Sequence, residues 1–442
     1  MLITDRSASD VEALRARLHG EVFGPDDAGY DDHRKPWNRA VDQRPAAVAF
    51  PRTDADVIAL VEFATERGFE LAPQATGHGA GAAGSLERTI LVATKHMRGV
   101  RIDPTTRIAR VRAGNVWSDV TVPAALYGLA PLAGSAPDVG IVGYTLGGGL
   151  GWLARAHGWA CNSVTAIEIV TAEGRLVRTD TRTEPELFWA LRGGGSSYGI
   201  VTAIEFELYP VTELHAGALL FPGARAQEVF TAWRDWTRTV PDAVTSLCRL
   251  VSPPGGDPIV LVEVAMLGDD TPLAPLRALQ PVADLVAPMT PDRLTEIHND
   301  PKEPSAGVSG HRLLNDVPDG ALAQLIDHAG GALVSVELRH LGGMLSRGSV
   351  CNGALNDVKA EFALFAVGLV PDAQAAMTVD TALARLTDAL EPWDAGRALV
   401  NFTEKAVRFH DGFTQHRLRA LKAQLDGAGM FAGRPTGSSS RA

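Results

Sequence analysis

Residues 134–151 read GSAPDVGIVGYTLGGGLG, and an earlier stretch, residues 71–84, reads LAPQATGHGAGAAG. Both are too rich in glycine and alanine to pack as ordinary core elements, so side chains do not explain them. Glycine permits positive φ and lets backbone N–H groups come close to a ligand. Two such stretches in one chain read as two walls around a large polar ligand that carries phosphates.

Working outward from these loops, residues 46–50 read as a short strand. Thr53-Asp54-Ala55-Asp56 is an N-cap signal before an amphipathic helix with Val57, Leu60, Val61 and Ala64 on its buried face. Gly68 ends that helix. A strand over 69–73 feeds the first glycine-rich loop. Further strands are expected at 89–94, 107–112, 164–171 and 201–209, with helices at 117–126 and 186–191. Residues 1–45 are polar and are expected to wrap the surface.

After Pro210 the composition shifts. A helix over 224–240 carries Phe230, Trp233 and Trp236 on one face, where core packing is the expected role of the two tryptophans. Strands are expected at 259–267, 332–340 and 362–370, a helix at 371–390, and loops at 253–257 and 299–310. The chain closes with a strand at 397–402, a helix at 416–425 and a tail, GRPTGSSSRA, expected to be disordered. The class is α+β, and 442 residues favour two domains.

Composition excludes several functions. No run of about 18 apolar residues is present to span a membrane. The start, MLITDRSASDVEAL, lacks a basic segment followed by an apolar core, so a cytoplasmic protein is expected. Cys161, Cys248 and Cys351 lie far apart and form no CxxC, which fits three buried thiols better than a disulfide framework or a zinc site. A net charge of −11 argues against nucleic-acid or anionic-membrane partners.

Two short motifs fail in context. Gly79-Ala80-Gly81-Ala82-Ala83-Gly84 satisfies G-x-G-x-x-G, but a Rossmann fingerprint needs a helix opening at the loop, and a strand follows here instead. Gly195-Ser196-Ser197-Tyr198-Gly199 satisfies G-x-S-x-G, but a nucleophile elbow runs from strand to helix and the order here is reversed. A tight turn accounts for it. His78, between Gly77 and Gly79, sits where its ring can approach a ligand, although a histidine that only bonds backbone would look the same in sequence.

Several ordered motifs together carry a family resemblance. They are P-x-T-x-x-D-V from Pro51, PQATGHGAG (73–81), AGSAPDVGIVGYTLGGGLGW (133–152), VTAEG (170–174), ELFWALRGGGSSYGIVT (186–202) and VNF (400–402), with a weaker match in ELRHLGG (337–343). The sequence resembles FAD-linked oxidoreductases of the vanillyl-alcohol-oxidase/PCMH type, and within them the berberine-bridge-enzyme-like group. The resemblance implies a two-lobed PCMH-type FAD-binding domain (1–210, with a return at 396–430) and an inserted antiparallel-sheet-plus-helices substrate domain (211–395). Residues 431–442 are left as the tail.

It further implies FAD held by Gln74, Ala75, Thr76, Gly77, His78, Gly79, Gly134, Ser135, Asp138, Val139, Gly140, Val142, Gly143, Tyr144, Gly199, Val201 and Asn401. The flavin would be bonded covalently through His78 only, because Ala136 stands where many members have a second, cysteine link. Asn162 stands where relatives often have Asp. Val139 matches a position where Val accompanies oxidases and Leu dehydrogenases.

The implied activity is hydride transfer from a small alcohol, sugar or secondary metabolite to flavin N5, with oxygen as acceptor and hydrogen peroxide as product. A dehydrogenase with another acceptor and a flavin-binding protein without turnover are the alternatives. Leu399 stands at the family's usual Tyr base. Asn401, Tyr144 and His340 are the catalytic candidates, with Glu337 as a further possible base. His340 and Glu337 lie three apart on one expected strand and should face opposite sides.

Overall fold

The computed structural model describes residues 3–404 and 408–432. The first lobe is built on parallel pairing of Ala47–Phe50, Thr89–Ala93 and Glu70–Gln74, with Glu21–Phe23 added antiparallel at one edge. The helix Asp54–Arg67 covers this sheet. Its start is fixed by a reciprocal capping box between Thr53 and Asp56, and its end by Gly68 at φ 73°. Val57, Leu60, Val61 and Ala64 are buried beneath it.

The second lobe is a five-stranded antiparallel sheet in the order Val100–Asp103, Ile108–Arg112, Ile200–Glu207, Val164–Val170, Leu176–Thr179. The helices Ser118–Ala125 and Pro185–Leu191 pack on it through Trp117, Val120, Leu187 and Phe188.

The remaining large sheet is antiparallel. Its central strands run Leu214–Pro222, Ile259–Leu267, Val244–Val251, Ser335–His340, Phe362–Leu369 and Gly307–Leu314. The helices Ala226–Thr237, Asp319–Asp327 and Ala373–Ala389 back one face. Phe230, Trp233 and Trp236 are buried there with Val336, Leu338 and Leu364 from the strands. Strand alternation turns Glu337, Arg339 and Phe365 to the opposite face. That face looks toward the lobes carrying the glycine-rich loops. The architecture is the α+β, two-lobed fold with an inserted sheet-and-helix layer that the sequence resembles.

Several expectations need correction. Residues 3–45 are more than a surface wrap: the helix Ile3–Arg15 buries Val11 and Leu14 in the first core, and Val22 joins them from a paired strand. The loop expected over 299–310 ends early, because the strand Gly307–Leu314 pairs along its whole length with Phe362–Leu369. The strand expected at 397–402 is instead a short 3₁₀ turn, Val400–Phe402. Cys351 is exposed, whereas Cys161 and Cys248 are buried. Of the tail, Phe431 is buried and bridges Leu71, so it belongs to the first lobe; residues 433–442 lie outside the described residues.

Candidate functional site

Strand Glu70–Gln74 runs straight into the first glycine-rich loop. Gln74 is held there by a reciprocal amide pair with Gln43 (3.0 and 3.2 Å). Gly77 adopts φ +82°, and a Cβ on it would come within 2.7 Å of Pro36. The turn brings His78 under Trp37, whose ring stacks on the imidazole at 4.4 Å and 18°. His78 Nδ1 is 2.8 Å from Thr76 Oγ1. Its Nε2 is buried without a hydrogen-bond partner among the described residues and lies 3.8 Å from Asp138 Oδ2. The same Asp138 oxygen accepts a hydrogen bond from Trp37 Nε1–H at 2.9 Å. Burial pushes the His78 pKa down, against the pull of Asp138 and Asp300, so the ring is neutral at neutral pH.

The second loop leads into the short helix Ile141–Leu146 and abuts the first: a Cβ on Gly140 would sit 2.8 Å from Ala75 Cβ. Val142 is half-buried and Gly143 faces open space. Val139 is half-buried, and its carbonyl accepts from Trp117 N–H at 3.2 Å. Tyr144 turns inward. Its ring meets Trp117 edge-on at 5.3 Å, and a Cβ on Gly134 would come within 2.9 Å of it. The Tyr144 hydroxyl is buried with no hydrogen-bond partner among the described residues, and burial raises its pKa. The Tyr144 carbonyl accepts from Asn401 Nδ2 at 2.8 Å. A Cβ on Gly147 would overlap Asn401 Oδ1, so glycine here lets Asn401 keep its seat on Tyr144 O. Val201 is buried on the strand Ile200–Glu207, after Gly199 at φ 157°. Glu404 Oε1 accepts from Gly81 N–H at 3.2 Å, so the segment carrying Asn401 touches both loops.

Facing these loops is the charged face of the large sheet. Glu337 Oε1 accepts from Arg339 Nε at 2.6 Å, and Glu337 Oε2 lies 2.7 Å from His298 Nε2. His298 Nδ1 lies 2.7 Å from Asp300 Oδ1, and Asp300 Oδ2 accepts from Ser135 Oγ at 2.8 Å. A continuous hydrogen-bonded chain, buried at His298 and Glu337, thus links the second glycine-rich loop to the sheet. Burial works against charge at each member, but the partners outweigh it. Glu337 is held at about 2 by Arg339 and His298, and His298 is pushed up to about 9 by Glu337 and Glu263. His298 also holds Asp300 below the usual carboxylate range.

His340 lies on the opposite side of the strand from Glu337, as alternation predicts. Its Nε2 is 2.8 Å from Arg155 Nη1, and burial together with Arg155 lowers its pKa to about 2. Leu399 packs among Trp159, Leu150 and Leu355, while its N–H donates to His311 Nε2 at 3.0 Å. Asn162 ties down the chain over 353–355, donating to Leu355 O at 3.0 Å and accepting from Gly353 N–H at 2.9 Å.

Sequence reasoning did not single out Trp37, His298, Asp300, Arg339 or Glu404. Arg339 lies within the weakly matching ELRHLGG, and His298 and Asp300 share the polar run His298-Asn299-Asp300. Those were the available signals.

The residues present fit an FAD cofactor. A buried histidine nitrogen has no partner among the described residues, two glycine-rich loops touch, and Asn401 closes on the second of them from a distant part of the chain. The fold and these loops define a PCMH-type flavin-binding architecture. Residues 45–180 match the FAD binding domain family, so the chain carries such a domain. The chain is similar to (R)-6-hydroxynicotine oxidase of Paenarthrobacter nicotinovorans, 34% identical over 192 residues that cover 43% of this chain and 42% of that protein. It is 27% identical over 447 residues to an uncharacterised FAD-linked oxidoreductase of Bacillus subtilis strain 168, covering 94% of this chain and 97% of that one. The chain spans about half the length of the first curated relatives it matches (42% and 52%), and nearly all of the Bacillus protein just described. The crystal structure of 6-hydroxy-D-nicotine oxidase from Arthrobacter nicotinovorans shares the fold, with a TM-score of 0.85 and 24% identity over 94% of this chain and 97% of that one. No helix among the described residues is long and apolar enough to cross a membrane.

Proposed function

We propose that the protein is an FAD-dependent oxidoreductase that oxidises a small alcohol, sugar or secondary metabolite, with oxygen as the electron acceptor. The observation that carries this reading is the approach of His78 to Asp138 between two touching glycine-rich loops, with Asn401 bonded to the second loop through Tyr144 O. Bound FAD would supply hydride acceptance from a substrate carbon and reoxidation by oxygen to hydrogen peroxide. Residues 1–210 and 396–432 would hold the cofactor, and 211–395 the substrate. Residues 74–79, Gly134, Ser135, 138–140, 142–144, Gly199 and Val201 form its walls. His78 attaches it covalently, and Ala136 offers no second link.

Asn401 orients the bound groups from its seat on Tyr144 O. The proton from the substrate O–H is assigned to Glu337, which is ionised throughout the neutral range and stands on the loop-facing side of the sheet. Its oxygens are bonded to Arg339 and His298 and its pKa lies near 2, so it is a weak base that takes the proton only as substrate displaces one of those partners. Tyr144 and His340 suit that role less well, because the phenol is packed against glycines and the imidazole faces Arg155. Val139 keeps the second loop open to oxygen.

The test is an absorbance spectrum before and after acid precipitation, with His78→Ala in parallel. Yellow colour that stays with the wild-type precipitate and leaves the variant supports covalent FAD. A colourless protein that added FAD does not restore overturns the whole reading. A screen of alcohols and sugars for peroxide release then addresses the oxidase assignment. Glu337→Gln should lower turnover by about a hundredfold with the flavin spectrum retained. Val139→Leu should slow reoxidation by oxygen and leave reduction by substrate unchanged.

A further inference from the structure

We propose that Trp37 and Asp138 are a positioning pair that readies His78 for its covalent bond to the flavin, with His78 Nε2 as the bonding atom. The proposal rests on the covalent reading above and deepens it. Three contacts fix the imidazole: the Trp37 ring at 4.4 Å on one face, Thr76 Oγ1 2.8 Å from Nδ1, and Asp138 Oδ2 3.8 Å from Nε2. Of its two ring nitrogens, Nε2 is buried without a hydrogen-bond partner among the described residues. We assign the tautomer in which Nδ1–H donates to Thr76 Oγ1, which leaves the in-plane lone pair on Nε2. An unprotonated nitrogen with no donor on it is a ready nucleophile.

Trp37 belongs to a segment laid along the His78 loop. Trp37 N–H donates to Thr76 O at 3.0 Å, and Pro36 fills the space beside Gly77. Its indole N–H donates to Asp138 Oδ2, the oxygen that faces Nε2, so one side chain sets both the ring plane and the carboxylate.

In the step, a bond forms from Nε2 to the 8α carbon of the flavin and one 8α C–H bond breaks. The hydrogen leaves as a proton, and its electron pair enters the ring system. The imidazole, which becomes positively charged as the bond forms, gives up its Nδ1 proton by way of Thr76. Both protons are taken up with the electron pair. Molecular oxygen then removes the pair and the protons as hydrogen peroxide. Asp138 and the π face of Trp37 stabilise the positive charge that develops on the imidazole. Asp300 adds negative charge from the substrate side.

The experiment follows covalent incorporation when FAD is added in air to apoprotein carrying wild-type, Asp138→Asn, Asp138→Glu or Trp37→Phe sequence. Acid-stable flavin is measured against time, and noncovalent FAD affinity is measured in parallel. The expected result is a rate about tenfold or more lower for Asp138→Asn and Trp37→Phe, partly restored in Asp138→Glu, with noncovalent affinity changed far less than the rate. Incorporation at the wild-type rate in the variants overturns the pair while leaving the covalent reading standing. Equal losses of rate and affinity also overturn it, because they mark a merely structural role. A wild-type protein that never acquires acid-stable flavin overturns the covalent reading itself. Trp37→Phe keeps a stacked ring and carries the test if Asp138→Asn does not fold.

Discussion

His298 is a buried imidazolium held between two carboxylates, Asp300 and Glu337, with Arg249 and Glu263 packed against it. Its pKa rises from 6.5 to about 9 on folding. A folded pKa above the unfolded one adds stability that is complete below about pH 6.5 and is lost as pH rises through about 9. The shift corresponds to on the order of 3 kcal/mol. Melting temperature should therefore fall between about pH 7 and 10, and His298→Gln should flatten that alkaline limb; an unchanged slope would contradict the assignment. Asp300 works in the other direction, since its lowered pKa gives stability that is lost as pH falls through the acid range. Tyr144 offers a contrasting test. Its hydroxyl is buried without a hydrogen bond among the described residues, and an unmade bond costs roughly 1–3 kcal/mol. Tyr144→Phe should melt at the same temperature as the wild type or higher, and should keep turnover if Glu337 takes the proton. A large loss of turnover with an intact fold would return the base role to Tyr144.

The segment between the strands Ser335–His340 and Phe362–Leu369 crosses over the second glycine-rich loop and has little regular structure of its own. Side chains from the lobe beneath hold it. Asn162 binds Gly353 and Leu355, Arg192 Nη1 donates to Cys351 O at 2.8 Å, and Trp159 Nε1 donates to Leu345 O at 3.2 Å. Asn162→Ala removes two of these bonds from partly buried backbone and should cost roughly 1–3 kcal/mol, read by chemical denaturation, with faster proteolysis within 346–360. The same element explains what sequence made legible. The N-cap at Thr53, the stop at Gly68 and the opposite facing of Glu337 and His340 depend on near neighbours, and they read correctly. The turn Val400–Phe402 did not, because the apolar run Ala398-Leu399-Val400 resembles a strand. Here Leu399 N–H bonds His311 and the Asn401 side chain bonds Tyr144, so partners far away in sequence decide its shape. The glycine-rich walls and His78 were visible in the composition. Trp37, His298 and Asp300 were not, because their roles exist only once three separate stretches meet.

Both ends of the described chain return to the first lobe. The helix Ile3–Arg15 covers its sheet, and the segment after Gly412–Leu425 runs back alongside the strand that feeds His78. Leu71 N–H donates to Met430 O at 2.8 Å, and Ala432 N–H donates to Leu71 O at 2.9 Å. Asp426 steers this return by accepting from the N–H groups of Met430 and Phe431 at 2.8 and 2.9 Å. Lys422 pairs with Asp426 and also donates to Ser197 O at 2.5 Å. One lysine therefore couples the turn over 193–199, the C-terminal return and the strand beneath the first glycine-rich loop. Met430 and Phe431 are only 8% and 3% exposed, so the return contributes to the core of the first lobe. A chain cut after Gly429 loses both side chains and the paired backbone. Relative to a chain ending at Ala432, it should lose about 3–5 kcal/mol, since removing one large buried aromatic alone costs that much. The loss should appear in the extent of covalent FAD incorporation as well as in melting temperature, because the strand that loosens is the one that sets Gln74 through His78. Equal stability and equal FAD incorporation in the two truncations would contradict this, and would leave the first loop positioned by contacts other than the C-terminal return.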